Sequence, residues 1–104
     1  MGRERFKDDA TRDLWEGRST KAARRAIPGN LHAKARLRLD FVYQAASMAA
    51  FTALPPGANF KELCGDLRGT YQFRIGGPYR IRFRWVRDRA WMIQAAHFHD
   101  EDRT

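Results

Sequence analysis

At 104 residues the chain is long enough for one hydrophobic core, and we expect residues 1–104 to form a single domain. A hydrophobic content of 43% argues against a disordered chain, and the single cysteine, Cys64, excludes an internal disulfide and a paired-cysteine zinc motif. The sequence contains no signal-like segment and no apolar run of about 18 residues, so we expect a cytoplasmic protein without a membrane partner.

The positive charge is the first indication of function. The net charge is +8, and the basic residues are 16 arginines but only 4 lysines. Residues 67–99 contain one acid, Asp88, against seven arginines: Arg68, Arg74, Arg80, Arg82, Arg84, Arg87 and Arg89. An arginine guanidinium is a flat fork of donors that matches two phosphate oxygens at once. These features favour a polyanionic partner such as RNA over a basic surface that serves solubility alone.

Residues 8–18 are predicted to form a short helix. Asp8 or Asp9 provides an N-cap, and acids at this end of a helix interact favourably with its dipole. Leu14 and Trp15 are expected to face the core.

A second helix is predicted from about Asn30 to Ser47. Its apolar residues recur every three or four positions and form one continuous stripe: Leu31, Ala35, Leu39, Val42, Ala46 and Ala49. The basic residues 19–30, which come before it, are predicted to be irregular. Pro55-Pro56-Gly57 excludes a helix at that point of the chain.

The last third of the chain changes to a period of two, which is typical of strands with one buried face. Three antiparallel strands are predicted, with turns at Gly76-Gly77-Pro78 and Asp88-Arg89, over residues 71–75, 79–85 and 90–98. Residues 60–63 are short enough only for a turn or a brief strand. The predicted fold class is therefore α+β, with two N-terminal helices packed on a small antiparallel sheet.

Residues 79–85 alternate without exception, which places Arg80, Arg82 and Arg84 on one face of their strand. Arg74 is expected to join that face from the neighbouring strand. A row of like charges is unfavourable unless water or an anion compensates it. The face is either a solvated surface that deters edge-to-edge aggregation or a phosphate-binding surface, and the arginine excess favours the second.

His97 and His99 flank Phe98 at the end of the last strand, and their spacing points both side chains the same way. Such a pair suits a metal site, paired acid and base roles, or no role at all. No third ligand stands at a motif spacing, so neither a metal nor another cofactor is expected. An acid/base role is favoured because RNA cleavage needs a proton shuttle near neutral pH beside charges that stabilise a phosphorane.

The loop of residues 60–69 brings two further cations, Lys61 and Arg68, to the edge of the predicted sheet. Its two glycines frame a tight turn, and the same pattern also suits a polar loop with no binding role. Cys64 in this loop is expected to be a small buried residue.

Six short motifs occur together in this chain: Leu14-Trp15-Glu16-Gly17, Leu54-Pro55-Pro56-Gly57, Leu63-Cys64-Gly65-Asp66, Tyr71-Gln72-Phe73-Arg74-Ile75, Tyr79-Arg80-Ile81-Arg82-Phe83-Arg84-Trp85 and Phe98-His99. In their order and spacing they resemble the HigB branch of the RelE-type toxins, and the resemblance covers about residues 5–99. It implies a compact fold of two helices on a small antiparallel sheet. It also implies a metal-free ribonuclease that cuts mRNA in the ribosomal decoding site. A cognate antitoxin, expected to be a HigA-like helix-turn-helix protein, would silence it.

The resemblance also suggests which residues act on RNA. Family members usually have a basic residue at the position of Arg80, many have arginine at that of Arg74, and their closing histidine corresponds to His99. We therefore predict attack of a 2′-hydroxyl on the adjacent phosphate. Arg74 and Arg80 would stabilise the negative charge, and His99 would handle a proton. RNA or ribosome binding is assigned to a second set of residues: Lys61, Arg68, Arg82, Arg84 and His97.

Three positions depart from the family pattern. The tyrosine and the acid that come before the final histidine are Phe98 and His97 here, and the lysine before the Gly-Asp pair is Cys64. The alternative function is therefore a non-catalytic basic module that binds RNA or the ribosome.

Overall fold

The structure is a computed structural model, which describes residues 2–98 and the side chains from Glu4 onward. Within these residues, three α-helices precede a four-stranded antiparallel sheet: α1 Asp9–Glu16, α2 Lys21–Ala26, α3 His32–Gln44, β1 Lys61–Glu62, β2 Thr70–Gly76, β3 Tyr79–Val86 and β4 Arg89–His97. Short 3-10 helices connect them at Gly2–Arg5, Gly29–Leu31, Met48–Ala53, Pro56–Ala58 and Gly65–Leu67. The predicted α+β class is confirmed. None of the helices described in residues 2–98 is long and apolar enough to cross a bilayer.

Helix α1 begins and ends with capping interactions that its sequence indicates. The Asp8 carboxylate accepts a hydrogen bond from the backbone N–H of Thr11 at 2.9 Å, which satisfies a donor that the first helical turn leaves open. Gly17 ends the helix in the left-handed region at φ 81°, where glycine has no Cβ to clash. Leu14 is buried and Trp15 packs against the core, as predicted.

The prediction that residues 19–30 are irregular was wrong, because they contain helix α2. Thr20 caps this helix by accepting from the backbone N–H of Ala23 at 3.2 Å, and its hydroxyl donates to Asp13 at 2.7 Å. Ala23 and Ile27 are fully buried. A six-residue helix with so few apolar positions shows no period, so tertiary packing rather than an amphipathic stripe stabilises it.

Helix α3, His32–Gln44, confirms the second predicted helix but is shorter at both ends than the predicted range from about Asn30 to Ser47. Ala35, Leu39 and Val42 of the predicted stripe are buried. The backbone leaves the helical region at Ala45, and the stripe positions beyond it, Ala46 and Ala49, are exposed. The predicted stripe therefore continued past the true end of the helix.

The strands form one sheet in the order β1-β2-β3-β4, with each neighbouring pair antiparallel. All three predicted strands and the brief strand near residue 61 are confirmed. The helices cover one face, where α1 and α3 contact each other and β4. Large residues fill the core between the two layers: Leu39, Phe73, Ile75, Ile81, Phe83 and Ile93.

The outer edge of β4 is covered by the N-terminal segment. The backbone N–H of Lys7 donates to Ile93 at 2.8 Å, and the N–H of Ala95 donates to the Thr11 hydroxyl at 3.0 Å. Arg5 donates to the Ala90 carbonyl at 2.8 Å, and burial lowers the pKa of its guanidinium, which still remains charged. An edge occupied in this way cannot pair with another chain.

Replacement of Thr11 tests whether this edge contact stabilises the fold. Thr11 is fully buried, and valine keeps its shape but leaves the Ala95 N–H without an acceptor. Thr11→Val should therefore lower the free energy of unfolding by about 2 kcal/mol, measured by denaturant unfolding. Thr11→Ser keeps the hydroxyl and should lose only about 1 kcal/mol for the missing methyl group. A valine variant as stable as the original chain would contradict this role.

Candidate nucleic-acid interface

The sheet face opposite the helices carries four arginines, Arg74, Arg80, Arg82 and Arg84, and is called the arginine face below. Their predicted common orientation is confirmed by the register, in which Arg74 is the partner of Arg80. Residues between them, such as Ile81 and Phe83, are fully buried on the helical side. The strand alternation thus separates an apolar face from a cationic one.

One row of polar residues crosses all four strands on the arginine face. Lys61 lies opposite Gln72, which lies opposite Arg82, which in turn lies opposite Gln94. The Arg82 Nε donates to the Gln72 amide oxygen at 3.0 Å, and the Gln94 amide donates to Asp8 at 3.3 Å. Lys61 and Arg82 therefore lie on either side of Gln72, and the Gln72 side chain orients the Arg82 guanidinium.

Arg84 is fixed by small polar neighbours rather than by an acid. Its Nη1 donates to the Thr70 hydroxyl at 3.4 Å, a long hydrogen bond. A Cβ at Gly69 would lie 3.2 Å from its Nη2, so this glycine, at φ 90°, leaves room for the guanidinium. The ion pairs among residues 2–98 are those of Arg12 and Arg18 with acids of helix α1, and neither Arg74 nor Arg84 takes part in one.

Arg80 differs from the other arginines of this face because it is only 5% exposed. Its Nη1 donates to the carbonyls of Pro78 and Phe98, each at 3.0 Å. The Phe98 N–H also donates to the Pro78 carbonyl at 3.3 Å. The sequence placed Arg80 on the correct face but suggested a solvated surface position, which was wrong. Its guanidinium ties the segment after β4 to the β2–β3 turn.

A groove of about 220 Å³ lies on the arginine face. Its lining combines cations, neutral hydrogen-bonding groups and apolar side chains, among them Thr70, Arg82, Arg84, Met92, Gln94 and Phe98. The Arg82 guanidinium lies 3.8 Å from the centre of the Phe98 ring, a cation–π contact. This arrangement suits a nucleotide, which presents an anionic phosphate beside a flat base with polar edges.

A larger groove, of about 400 Å³, lies between α1 and α3 on the helical side. Its lining includes two acids, Glu16 and Asp40, against one arginine, Arg36, and Asp40 accepts a hydrogen bond from the Trp15 indole at 3.1 Å. Carboxylates repel a phosphate backbone. We therefore place the candidate nucleic-acid site in the smaller groove.

Two other predicted site residues, Arg68 and His97, do not line this groove. Arg68 is exposed and lines a separate shallow groove with Glu62 and Cys64. His97 is the register partner of Tyr79, with 5.5 Å between their ring centres, which places it on the helical side of the sheet. His97 therefore does not share the arginine face, and its predicted role in RNA or ribosome binding stays a prediction. His99, the predicted proton carrier, lies outside the described residues.

Two further expectations concern the burial of Cys64 and the absence of a metal. Cys64 is exposed, so the expectation that it is a buried residue was wrong. Within residues 2–98, no three His, Cys, Asp or Glu side chains converge to hold a metal ion. The absence of a metal cofactor remains a prediction.

The sequence reasoning did not single out several residues that shape the site. Gln72, Gln94 and Thr70 orient cations or line the groove, and strand alternation alone assigns Gln72 to the arginine face. The position of Met92 on the arginine face could not be predicted, because a bulge shifts the register of β3 and β4 between Arg82 and Arg84. A period of two carries no signal for such an insertion.

An α+β domain with a cationic sheet face and a small mixed groove is typical of a nucleic-acid-binding protein. The sequence model of RelE-like toxins of the type II toxin–antitoxin system HigB matches residues 4–98, and the chain belongs to this HigB-like toxin family. It is 32% identical over 62 residues to Toxin HigB-1 of Vibrio cholerae serotype O1 (strain ATCC 39315 / El Tor Inaba N16961). The aligned region covers 60% of this chain and 64% of that relative, which is less than two thirds of its length. The family indicated by the sequence motifs is confirmed.

The contrast between Arg80 and Arg74 leads to a stability prediction. Arg80→Ala removes a charged donor from two carbonyls and should lower the free energy of unfolding by roughly 2–3 kcal/mol. Arg74 is exposed, so Arg74→Ala should change it by less than about 0.5 kcal/mol. Thermal unfolding of the two variants measures the difference. Equal, small changes in both would show that Arg80 does not hold the segment after β4.

Proposed function

We propose that this HigB-like toxin inhibits translation by cutting mRNA on the ribosome, without a metal ion. Family membership supports the toxin class, and the observation that supports action on RNA is the groove on the arginine face. Its cations suit phosphates, and its aromatic and amide groups suit an unstacked base. A message held in the decoding site of a ribosome is single-stranded, which is the form in which bases can enter such a groove.

The proposed reaction is an internal transesterification. The 2′-oxygen attacks the neighbouring phosphorus, the bond from phosphorus to the 5′-oxygen breaks, and the products end in a cyclic 2′,3′-phosphate and a 5′-hydroxyl. One proton leaves the 2′-hydroxyl and one is taken up by the 5′-oxygen. His99 is the proposed carrier of one of these protons, because an imidazole titrates near neutral pH.

The proposed charge stabilisation comes from Arg74 and Arg80. Arg74 is exposed on the arginine face and can reach a phosphate from solvent. Arg80 lies opposite it in the register, and its two carbonyl contacts hold its charge in one place. Charges fixed before the reaction need no reorganisation as the transition state forms. Arg80 also holds the Phe98 carbonyl in place.

Binding to the ribosome is assigned to the cations around the groove and on the loop before β2. Lys61, Arg82 and Arg84 share the arginine face, and Arg68 lies nearby on the loop before β2. The ribosome offers RNA phosphates on several sides of a bound protein, and such contacts weaken with salt.

The proposed partners are mRNA on the ribosome and a cognate antitoxin, and the proposed location is the cytoplasm, where translation takes place. A type II system pairs a toxin with a protein antitoxin, for which we propose a HigA-like helix-turn-helix protein. Covering the arginine face would silence the toxin by excluding the message. His97 lies on the other side of the sheet from the groove, and we propose that it contacts the ribosome rather than the scissile phosphate.

The second candidate function is a non-catalytic module that binds RNA or the ribosome. One observation favours it: the Phe98 ring lies against Arg82 where the family has a tyrosine, and phenylalanine has no hydroxyl to donate. Such a module would occupy the ribosome and leave the message intact. Analysis of the RNA products therefore separates the two functions.

Replacement of Arg74 tests the proposed function. Arg74→Ala should slow single-turnover cleavage of ribosome-bound mRNA by about 100-fold, the scale of losing one donor to the charge that develops in the transition state. Arg24→Ala is the matched control, because Arg24 is exposed on helix α2 and its loss changes the net charge equally. Cleavage by toxin that was treated with EDTA before it meets the ribosome should be unchanged.

Three outcomes of this assay would contradict the proposal. Equal slowing by Arg74→Ala and Arg24→Ala would show that only diffuse charge matters. A loss of cleavage after EDTA treatment that added zinc restores would contradict the metal-free mechanism. Ribosome binding without any cleavage, by the original chain and by Phe98→Tyr alike, would support the non-catalytic module.

A further inference from the structure

Met92 has a backbone conformation that its side chain does not favour. Among the described residues, the non-glycine residues with positive φ are Asn59, Arg87, Asp88 and Met92. Arg87 and Asp88 form the β3–β4 hairpin turn, whose geometry requires positive φ, and asparagine tolerates this region readily. Met92, at φ 53°, lies inside a strand and has neither explanation. Strained positions of this kind are concentrated at functional sites.

The unusual backbone conformation of Met92 determines the direction of its side chain. In β4 the buried residues Ala90 and Ile93 are three positions apart, whereas Ile93 and Ala95 are two apart. The bulge accommodates the extra residue, because the register changes between the pairs Arg82–Gln94 and Arg84–Trp91. Regular alternation from Ala90 would have turned Met92 towards the core. The bulge instead delivers its side chain to the groove on the arginine face.

An exposed methionine is unremarkable by itself, but this one lies within a site. Met92 is 48% exposed and lines the groove together with Arg82, Arg84 and Phe98. The groove, at about 220 Å³, is smaller than the roughly 300–1,000 Å³ of pockets that enclose a whole drug-sized ligand, so it fits one part of a larger molecule. A thioether is polarisable and adapts to the flat face of an aromatic ring.

We propose that Met92 determines RNA sequence preference, because the bulge in β4 places its thioether against the base of a nucleotide next to the scissile phosphate. This inference rests on the proposed ribonuclease function. The phosphates are held by Arg82 and Arg84, whose charges accept any sequence. The base is sensed where the apolar Met92 and the amide of Gln94 line the same groove. Contacts with phosphates position a nucleic acid, whereas contacts with bases discriminate among sequences.

The test compares cleavage maps of a translated message for four proteins: the original chain, Met92→Gly, Met92→Leu and Val86→Ala. Glycine accepts positive φ without strain, so Met92→Gly should unfold at the same or a higher temperature than the original chain. Its cleavage at the strongest sites should fall by up to about tenfold, the scale of one lost sulfur–aromatic contact, while weak sites change less. Met92→Leu keeps an apolar contact and should retain the original preference.

Val86→Ala is the matched control, because Val86 is 47% exposed on the neighbouring strand and does not line the groove. It should leave the distribution of cut sites unchanged. An unchanged distribution and rate in Met92→Gly would overturn the inference, and cutting by the original chain would then still support the proposed function. A uniform fall at all sites, with a lower unfolding temperature, would mean that Met92 is only structural. An original chain that leaves mRNA intact would overturn both proposals.

Discussion

Repulsion among arginines on one face of a small sheet is the constraint on which the rest of this structure depends. Arg80, Arg82 and Arg84 each donate to a neutral oxygen, from a backbone carbonyl, an amide or a hydroxyl. A neutral acceptor fixes the direction of a guanidinium and adds no negative charge of its own. Repulsion among these arginines is unfavourable. It is offset on the other face of the same strands, where large apolar residues are buried against the helices.

The other elements of the fold hold this cationic face in shape. The N-terminal segment and α1 occupy the open edge of β4, so the strand that carries Met92 and Gln94 is fixed on both sides. Arg80 ties the end of β4 to the β2–β3 turn and brings Phe98 over Arg82. The groove is therefore built from segments distant in sequence, and its outline depends on contacts that are not themselves part of it.

Strand positions, and the faces of β2 and β3, could be predicted from the sequence, because alternation in residues 71–85 follows directly from strand geometry. How deeply each side chain is buried could not be predicted in this way. Arg80 and Arg84 share a face, yet only Arg80 is buried, because the segment after β4 lies against it. Helix α2 was missed because six residues are too few to show a period. The bulge at Met92 interrupts the alternation itself, so that the positions after it, Ile93, Ala95 and His97, lie on the helical side.

A structure of the toxin on a ribosome is the most direct test of the central claim, that the arginine face holds the message for cutting. The message would carry a 2′-O-methyl group at the cut site, which blocks attack and preserves the bound state. The account predicts that the scissile phosphate lies within ion-pair distance of Arg74 and that the neighbouring nucleotide enters the groove between Arg82 and Met92. A message that lies along the helical side instead, with the arginine face turned away from it, would contradict the account.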